Sequence, residues 1–131
     1  MTPLDHAQML LRKAAQDEAL LDAHLEDETM SAEIFGFHSQ QAVEKLLKAC
    51  LAVRAVHYPK THNLQALVEL VEAQEQPLPP DLPDLNLLTP YATIYRYEQL
   101  PEYTALDRKE ARSLVAKVRA FVEQRLKSAT E

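Results

Sequence analysis

The residues best suited to chemistry in this sequence are one arginine and three tyrosines in a seven-residue stretch. Arg96 carries a planar guanidinium whose fixed donors suit a phosphate group. Tyr91, Tyr95 and Tyr97 can stack on a nucleobase or donate hydroxyl hydrogen bonds. The pattern predicts a phosphate- or nucleotide-binding segment. The alternative is that the tyrosines pack at the edge of a helical core while Arg96 pairs with Glu98 or with a neighbouring helix.

A second polar surface follows one side of a helix. Its members recur mostly at three- and four-residue steps: His38, Gln40, Gln41, Glu44, Lys45 and Lys48. Lys45 and Lys48 are candidate phosphate ligands, and Glu44 precedes Lys48 in the order that favours an ion pair of about 0.3–0.5 kcal/mol. The alternative is a solvated helix side with a surface ion pair, on which an isolated His38 is more often structural than chemical. We expect His62 to be a capping or turn residue.

The sequence lacks the spacing of common metal and nucleotide-hydrolase motifs. Five histidines are present, but there is no H-E-x-x-H, no cysteine cluster and no Glu-x-x-His on two helices. Gly36 is the only glycine, which excludes glycine-rich phosphate loops and the G-x-S-x-G nucleophile turn. Cys50, the only cysteine, lies on an apolar stripe and is predicted to be a small core residue. We therefore expect no metal and no cofactor.

Length and composition predict one all-α domain spanning residues 1–131. One glycine and abundant Ala, Leu, Glu, Lys and Gln favour helices over sheet. The apolar runs are too short to span a membrane and no secretory signal is visible, so we expect a cytoplasmic protein with no membrane partner. The formal charge of −6 argues against broad, nonspecific binding to nucleic acid but permits a small basic pocket.

Apolar residues at helical spacing place these polar groups on a set of helices. Helices are predicted from about Leu4 to Leu25, Ala32 to Val56, Leu64 to Val71, Leu85 to Tyr97 and Ala105 to Lys127. In the first helix Glu18 interrupts the apolar stripe, and Pro59 ends the second helix because the residue before proline is pushed out of the α region. The elements predict an up-and-down antiparallel helical bundle of four long helices plus a short one.

Four motifs occur in order along the chain: Phe37-His-Ser-Gln-Gln-Ala-Val-Glu-Lys-Leu-Leu-Lys-Ala, Pro59-Lys-Thr-His62-Asn-Leu64, Leu88-Thr-x-Tyr91 and Arg96-Tyr97. With these motifs the sequence resembles the HEPN domain family (higher eukaryote and prokaryote nucleotide-binding) over nearly its whole length. The family-motif positions are His38, Gln40, Gln41, Glu44 and His62. The resemblance implies a helical bundle that often forms a homodimer, a nucleotide or RNA ligand, and a minimal nucleotidyltransferase partner in a toxin–antitoxin-like pair.

Some members of that family are metal-independent ribonucleases with an R-x(4–6)-H motif, in which the arginine holds the scissile phosphate and the histidine moves a proton. No histidine follows Arg96 in this sequence, and Arg54 has His57 too close and His62 too far away. The resemblance therefore favours a binding protein over an endoribonuclease. A third possibility is a non-catalytic helical oligomerisation module without a ligand.

Overall fold

The computed structural model describes residues 1–74, 78–80, 82, 84–92 and 106–130. Across these residues the chain forms helices and no strand, which confirms the predicted all-α class there. The helices are α1 (Pro3–Ala23), α2 (Ala32–Ala52), α3 (Leu64–Gln74), a 3₁₀ helix (Leu85–Tyr91) and α4 (Arg108–Thr130). Among these described helices, none has the length and apolar character needed to cross a bilayer.

The helix starts follow from capping residues. Thr2 and Asp5 form a capping box at the start of α1, where the Thr2 hydroxyl accepts from Asp5 N and the Asp5 carboxylate accepts from Thr2 N. Ser31 caps α2 by accepting from Ile34 N. Asn63 caps α3 by accepting from Ala66 N. These side chains satisfy backbone donors that a helix leaves unpaired at its first turn.

Helix α2 ends at Ala52, earlier than the predicted end near Val56. Val56 N donates to Leu51 O and Ala55 N donates to Ala52 O, the paired hydrogen bonds of a Schellman motif. Ala55 has a φ of 56°, the left-handed conformation that this motif requires. Backbone hydrogen bonds therefore end α2 several residues before Pro59, and the proline is not the cause.

The predicted arrangement of four long helices plus a short one is not confirmed in detail by the described residues. Three helices have 21, 21 and 23 residues, whereas α3 has 11. The predicted helix from Leu85 is a 3₁₀ helix up to Tyr91, and Pro90 within it has no backbone N–H to donate. Its predicted remainder, residues 93–97, lies outside the described residues, as does the predicted start of the last helix at Ala105.

Helix α2 is the centre of the packing, because it contacts each of the other described helices. Of its 21 residues, 13 are buried. Phe35 and Leu46 have no exposed surface, and Cys50 is 5% exposed, as expected of a core residue. Burial raises the pKa of the Cys50 thiol. Buried apolar residues from all the described helices join in one hydrophobic cluster.

Long-range polar contacts fix α1 between its neighbours. Near its start, His6 Nε2 lies 3.1 Å from the Tyr58 hydroxyl beyond the end of α2. On its other side, Glu18 is buried and accepts from the guanidinium of Arg119 with both carboxylate oxygens. Glu18 thus interrupts the apolar stripe, as predicted, because it forms a part-buried ion pair with α4.

Candidate functional site

The polar side chains of α2 divide into two clusters. The Glu44 cluster comprises Gln40, Gln41, Glu44, Lys48 and His62, and the Asp17 cluster comprises Asp17, His38 and Lys45. The first joins α2 to the segment before α3, and the second joins α2 to α1. Each family-motif residue predicted from the sequence, and each of the two lysines, therefore belongs to one of these two clusters.

Glu44 accepts hydrogen bonds from three donors although its side chain is only 6% exposed. Its Oε1 accepts from Gln40 Nε2 at 3.1 Å and from His62 Nδ1 at 2.8 Å. Its Oε2 accepts from Lys48 Nζ at 3.0 Å. An ionised carboxylate only accepts, so the His62 proton is on Nδ1 and its Nε2 is the remaining acceptor when the ring is neutral. Glu44 thus fixes the orientation of both a lysine and an imidazole.

Gln40 is fully buried and uses both hydrogens of its side-chain amide. One is donated to Glu44 and the other to the backbone carbonyl of His62, at 3.0 Å. Its oxygen accepts from Gln41 Nε2 at 2.8 Å. Burying an amide side chain without hydrogen-bond partners would destabilise the fold by about 1–3 kcal/mol. The three hydrogen bonds of Gln40 remove this cost and make its burial possible.

The burial of Gln40 and Glu44 shows that the alternative of a solvated helix side is wrong for these two residues. The segment around His62 covers them, and His62 itself keeps 58% of its side chain exposed. The prediction that His62 is a capping or turn residue is wrong, because Asn63 caps α3, residue 62 is not in a turn, and the His62 ring holds Glu44. The predicted Glu44–Lys48 ion pair is confirmed, but it is part-buried rather than a surface pair.

The Asp17 cluster also has a buried carboxylate that pairs with a histidine and a lysine of α2, where α2 faces α1. Asp17 Oδ1 accepts from His38 Nδ1 at 2.9 Å, and Asp17 Oδ2 accepts from Lys45 Nζ at 2.6 Å. The Asp17 side chain is 9% exposed, whereas His38 and Lys45 are about a quarter exposed. The buried carboxylate therefore presents an imidazole with a fixed tautomer beside an ammonium group.

Tyr58 connects the Glu44 cluster to a cleft at the start of α1. The Lys48 ammonium lies 5.5 Å from the centre of the Tyr58 ring, within the range of a cation–π contact. The Tyr58 hydroxyl lies against His6, and the two rings meet edge to face. Burial raises the pKa of the Tyr58 hydroxyl, which therefore remains a hydrogen-bond donor at neutral pH.

The predicted tyrosine–arginine segment is described only at Tyr91 and Ala92. Tyr91 is 4% exposed, and its ring lies against Gly36 in α2. Burial raises the pKa of its hydroxyl, with a further contribution from Glu33. Tyr95, Arg96 and Tyr97 lie outside the described residues. The predicted role of Tyr91, Tyr95, Arg96 and Tyr97 in phosphate binding stays a prediction.

Two residues at these clusters were missed from the sequence. Asp17 stands beside Glu18 within the apolar stripe of α1, between the buried residues Ala14 and Leu21. Two adjacent acids at buried positions of an amphipathic helix indicate basic partners on the neighbouring helices, and this signal was available. Tyr58 gave no comparable signal, because its contacts with His6 and Lys48 depend on the tertiary fold.

The electrostatics of both clusters are those of paired charges. In each cluster the positive charge of one lysine is paired with the negative charge of one carboxylate, so the net charge of the cluster is small. An ammonium has three donors, however, and Lys48 uses one on Glu44 while Lys45 uses one on Asp17. Within the described residues, no three histidine, cysteine or acidic side chains are grouped as a metal would require. The clusters thus suit recognition of a phosphate oxygen or a polar partner surface.

The described part of the chain is a small all-α domain with buried polar clusters along its central helix. The family model for the HEPN domain matches residues 7–128 of this sequence, which is nearly its whole length. The chain therefore belongs to the HEPN domain family. Searches of curated proteins and of solved structures each found no significant match.

Proposed function

We propose that this chain is a binding protein, a single up-and-down HEPN domain that acts as a cytoplasmic homodimer. It binds a nucleotide or nucleic-acid phosphate through the polar side of α2 and the Arg96 segment, pairs with a minimal nucleotidyltransferase in a toxin–antitoxin-like module, or does both. The observation that supports this most directly is Glu44, a buried carboxylate that holds Lys48 and His62 in place. Family membership adds support, because HEPN domains are often associated with nucleotides or RNA.

The argument rests on the energetics of burying a charge. A buried carboxylate is stable only when several hydrogen bonds replace its lost hydration, and apolar residues in the same place are often equally stabilising. The Glu44 cluster uses an amide, an ammonium and an imidazole for this purpose. The arrangement leaves His62 largely exposed with one ring nitrogen uncommitted to Glu44. Such preorganised donors and acceptors favour a binding role over simple packing.

Nucleotide binding is tested with purified protein, a panel of nucleotides and a short single-stranded RNA. A ligand at about 100 times its Kd stabilises the fold by about 2.7 kcal/mol, which raises the melting temperature by several degrees. We expect this shift to be reduced by His62→Ala, an exposed change, and by Arg96→Ala. Lys117→Ala removes one positive charge from an exposed position on α4 and serves as the matched control for Arg96→Ala.

Partner binding is tested by co-expression with a minimal nucleotidyltransferase encoded beside the gene. A stable complex on size exclusion that is weakened by His62→Ala supports the partner arm. The absence of both a complex and a nucleotide-dependent shift would contradict the proposed function and leave the oligomerisation module as the better description.

The Asp17 cluster favours a second candidate, a metal-independent endoribonuclease. Asp17 holds His38 Nδ1, so Nε2 can accept the proton of a ribose 2′-hydroxyl. The 2′-oxygen then attacks the adjacent phosphorus, the 5′-oxygen leaves with a proton from solvent, and a 2′,3′-cyclic phosphate forms. Lys45 is placed to stabilise the added negative charge. This route uses His38 in place of the histidine missing after Arg96.

The enzyme candidate is tested by incubating RNA with the protein in excess chelator. Cleavage should disappear with His38→Gln and with a 2′-deoxy substitution at the scissile nucleotide, and it should survive His57→Gln, a change at an exposed histidine. Cleavage that persists in His38→Gln would exclude this mechanism.

A further inference from the structure

A cleft lies where the start of α1 faces the end of α2 and the segment that follows it. Its volume is about 610 Å³, within the range of roughly 300–1,000 Å³ that is typical of small-molecule sites. Much of its wall is apolar, with contributions from Pro3, Ala52 and Val56. The cleft is separate from the Asp17 cluster and adjoins the Glu44 cluster only through Tyr58.

The polar groups of this cleft are donors and bases. His6, His57, Tyr58 and Lys60 line it, and none of the described lining residues is acidic. Over the whole chain, Asp and Glu outnumber Lys and Arg by 20 to 14. The lining of this cleft nevertheless contains no carboxylate, so it locally favours an anion.

The side chains of the cleft could contact both a charged group and an apolar body of one ligand. Lys60 and His57 are exposed and can reach a charged group at the rim. Tyr58 and His6 present an edge-to-face ring pair with centres 6.3 Å apart, beside the apolar wall. The first turn of α1 contributes little, because the Thr2 backbone N–H is already bonded to Asp5.

We propose that this cleft is a binding site for a small anion with a planar apolar body, of the aryl phosphate or aryl carboxylate class. The planar body packs against Ala52, Val56 and the Tyr58 ring. The anionic group takes donors from Lys60 and His57, while the Tyr58 hydroxyl stays paired with His6. This site goes beyond the polar side of α2 and does not depend on the function proposed for it.

The experiment is a titration of ¹⁵N-labelled protein with phenyl phosphate, followed by amide chemical shifts. We expect saturable shifts concentrated in residues 52–60 and at the start of α1. Benzoate tests the carboxylate form of the same chemistry, inorganic phosphate lacks the planar body, and benzyl alcohol lacks the charge. Both aryl anions should bind more tightly than inorganic phosphate or benzyl alcohol.

Variants then locate the site. Lys60→Ala is an exposed change, and loss of one hydrogen bond to a charged group should weaken phenyl phosphate about tenfold. His57→Ala should act in the same direction, whereas Lys117→Ala, at an exposed position on α4, should leave the affinity unchanged. Three results would overturn the proposal: no saturable shift up to about 10 mM phenyl phosphate, equal binding of benzyl alcohol, or an affinity that depends on Lys117 but not on Lys60.

Discussion

The ring of Tyr91 lies directly against the backbone of Gly36, the only glycine of the chain. A Cβ added at Gly36 would come within 2.8 Å of three carbons of that ring. Glycine in the middle of a helix is less favourable than alanine by roughly 0.5–1 kcal/mol. The close approach of the 3₁₀ helix to α2 therefore explains why α2 contains glycine at this position.

Gly36→Ala should destabilise the fold, because the Tyr91 ring must move to make room for the new methyl group. Overpacking of this kind typically lowers the free energy of unfolding by about 1–3 kcal/mol. Urea unfolding measures the loss. In a Tyr91→Leu background the same glycine change should be much less harmful, since the space it needs is then available. Equal losses in the two backgrounds would show that the Tyr91 contact is not the cause.

Ala55→Gly should stabilise the protein by up to about 1 kcal/mol, because Ala55 adopts a φ of 56° at the end of α2. Glycine occupies the left-handed region without the clash between Cβ and the backbone. Thermal or urea unfolding tests the change, and Ala23→Gly, an exposed change at the last residue of α1, is the control that should not stabilise. A loss of stability in Ala55→Gly would contradict the Schellman geometry.

Glu44→Ala should destabilise by about 3–5 kcal/mol, because it leaves Gln40 and Lys48 without their shared acceptor in a part-buried position. Glu44→Gln keeps the shape but still removes the charge that Lys48 and His62 face. Asp22→Asn provides the comparison, since Asp22 pairs with Arg112 at the surface with 59% of its side chain exposed. We expect that change to alter the free energy of unfolding by less than about 1 kcal/mol at neutral pH.

Acidification should weaken the fold through carboxylates held below their ordinary pKa. The hydrogen bond from Arg112 lowers the pKa of Asp22, and hydrogen bonds from the Thr29 side chain and backbone lower that of Asp27. A lowered folded-state pKa gives stability that is present above the ordinary value of 3.8 and is lost as the pH falls through the lowered value. Melting temperatures between about pH 2 and pH 7 should show this decline.

Asp22→Asn should make that acidic decline shallower, because one of the contributing carboxylates is removed. Glu28→Gln changes the same charge at an exposed position and serves as the control. An unchanged acidic decline in Asp22→Asn would mean that the Arg112 contact does not contribute to the pH dependence.

The buried seam of α2 was predictable from the sequence because it depends on local periodicity. Phe35 and Leu46 recur at helical spacing and are fully buried. The sequence pattern alone did not predict that Gln40 and Glu44 are buried. The groups that cover them belong to His62, which lies 22 residues from Gln40 and 18 residues from Glu44 along the chain. The polar residues were selected correctly, but their burial is a tertiary effect.

The helix ends show the same division between local and long-range causes. The Thr2 cap of α1 and the Ser31 cap of α2 follow from hydrogen bonds between residues only three positions apart in the sequence. The end of α2 was placed too late, because Ala55 in the left-handed conformation is not a typical sequence signal. The 3₁₀ form of Leu85–Tyr91 was also missed, although Pro90 indicated that a regular helix would be interrupted.

Arg108 has a consequence for the order in which the chain acquires its structure during synthesis. Its guanidinium donates to the backbone carbonyls of His24, Asp27 and Met30, and it lies over the Phe35 ring. Those carbonyls belong to the connection between the first two helices, yet their donor emerges from the ribosome 78 to 84 residues later. The connection between α1 and α2 therefore gains these hydrogen bonds only after most of the polypeptide has been translated. A nascent chain that ends before α4 lacks them.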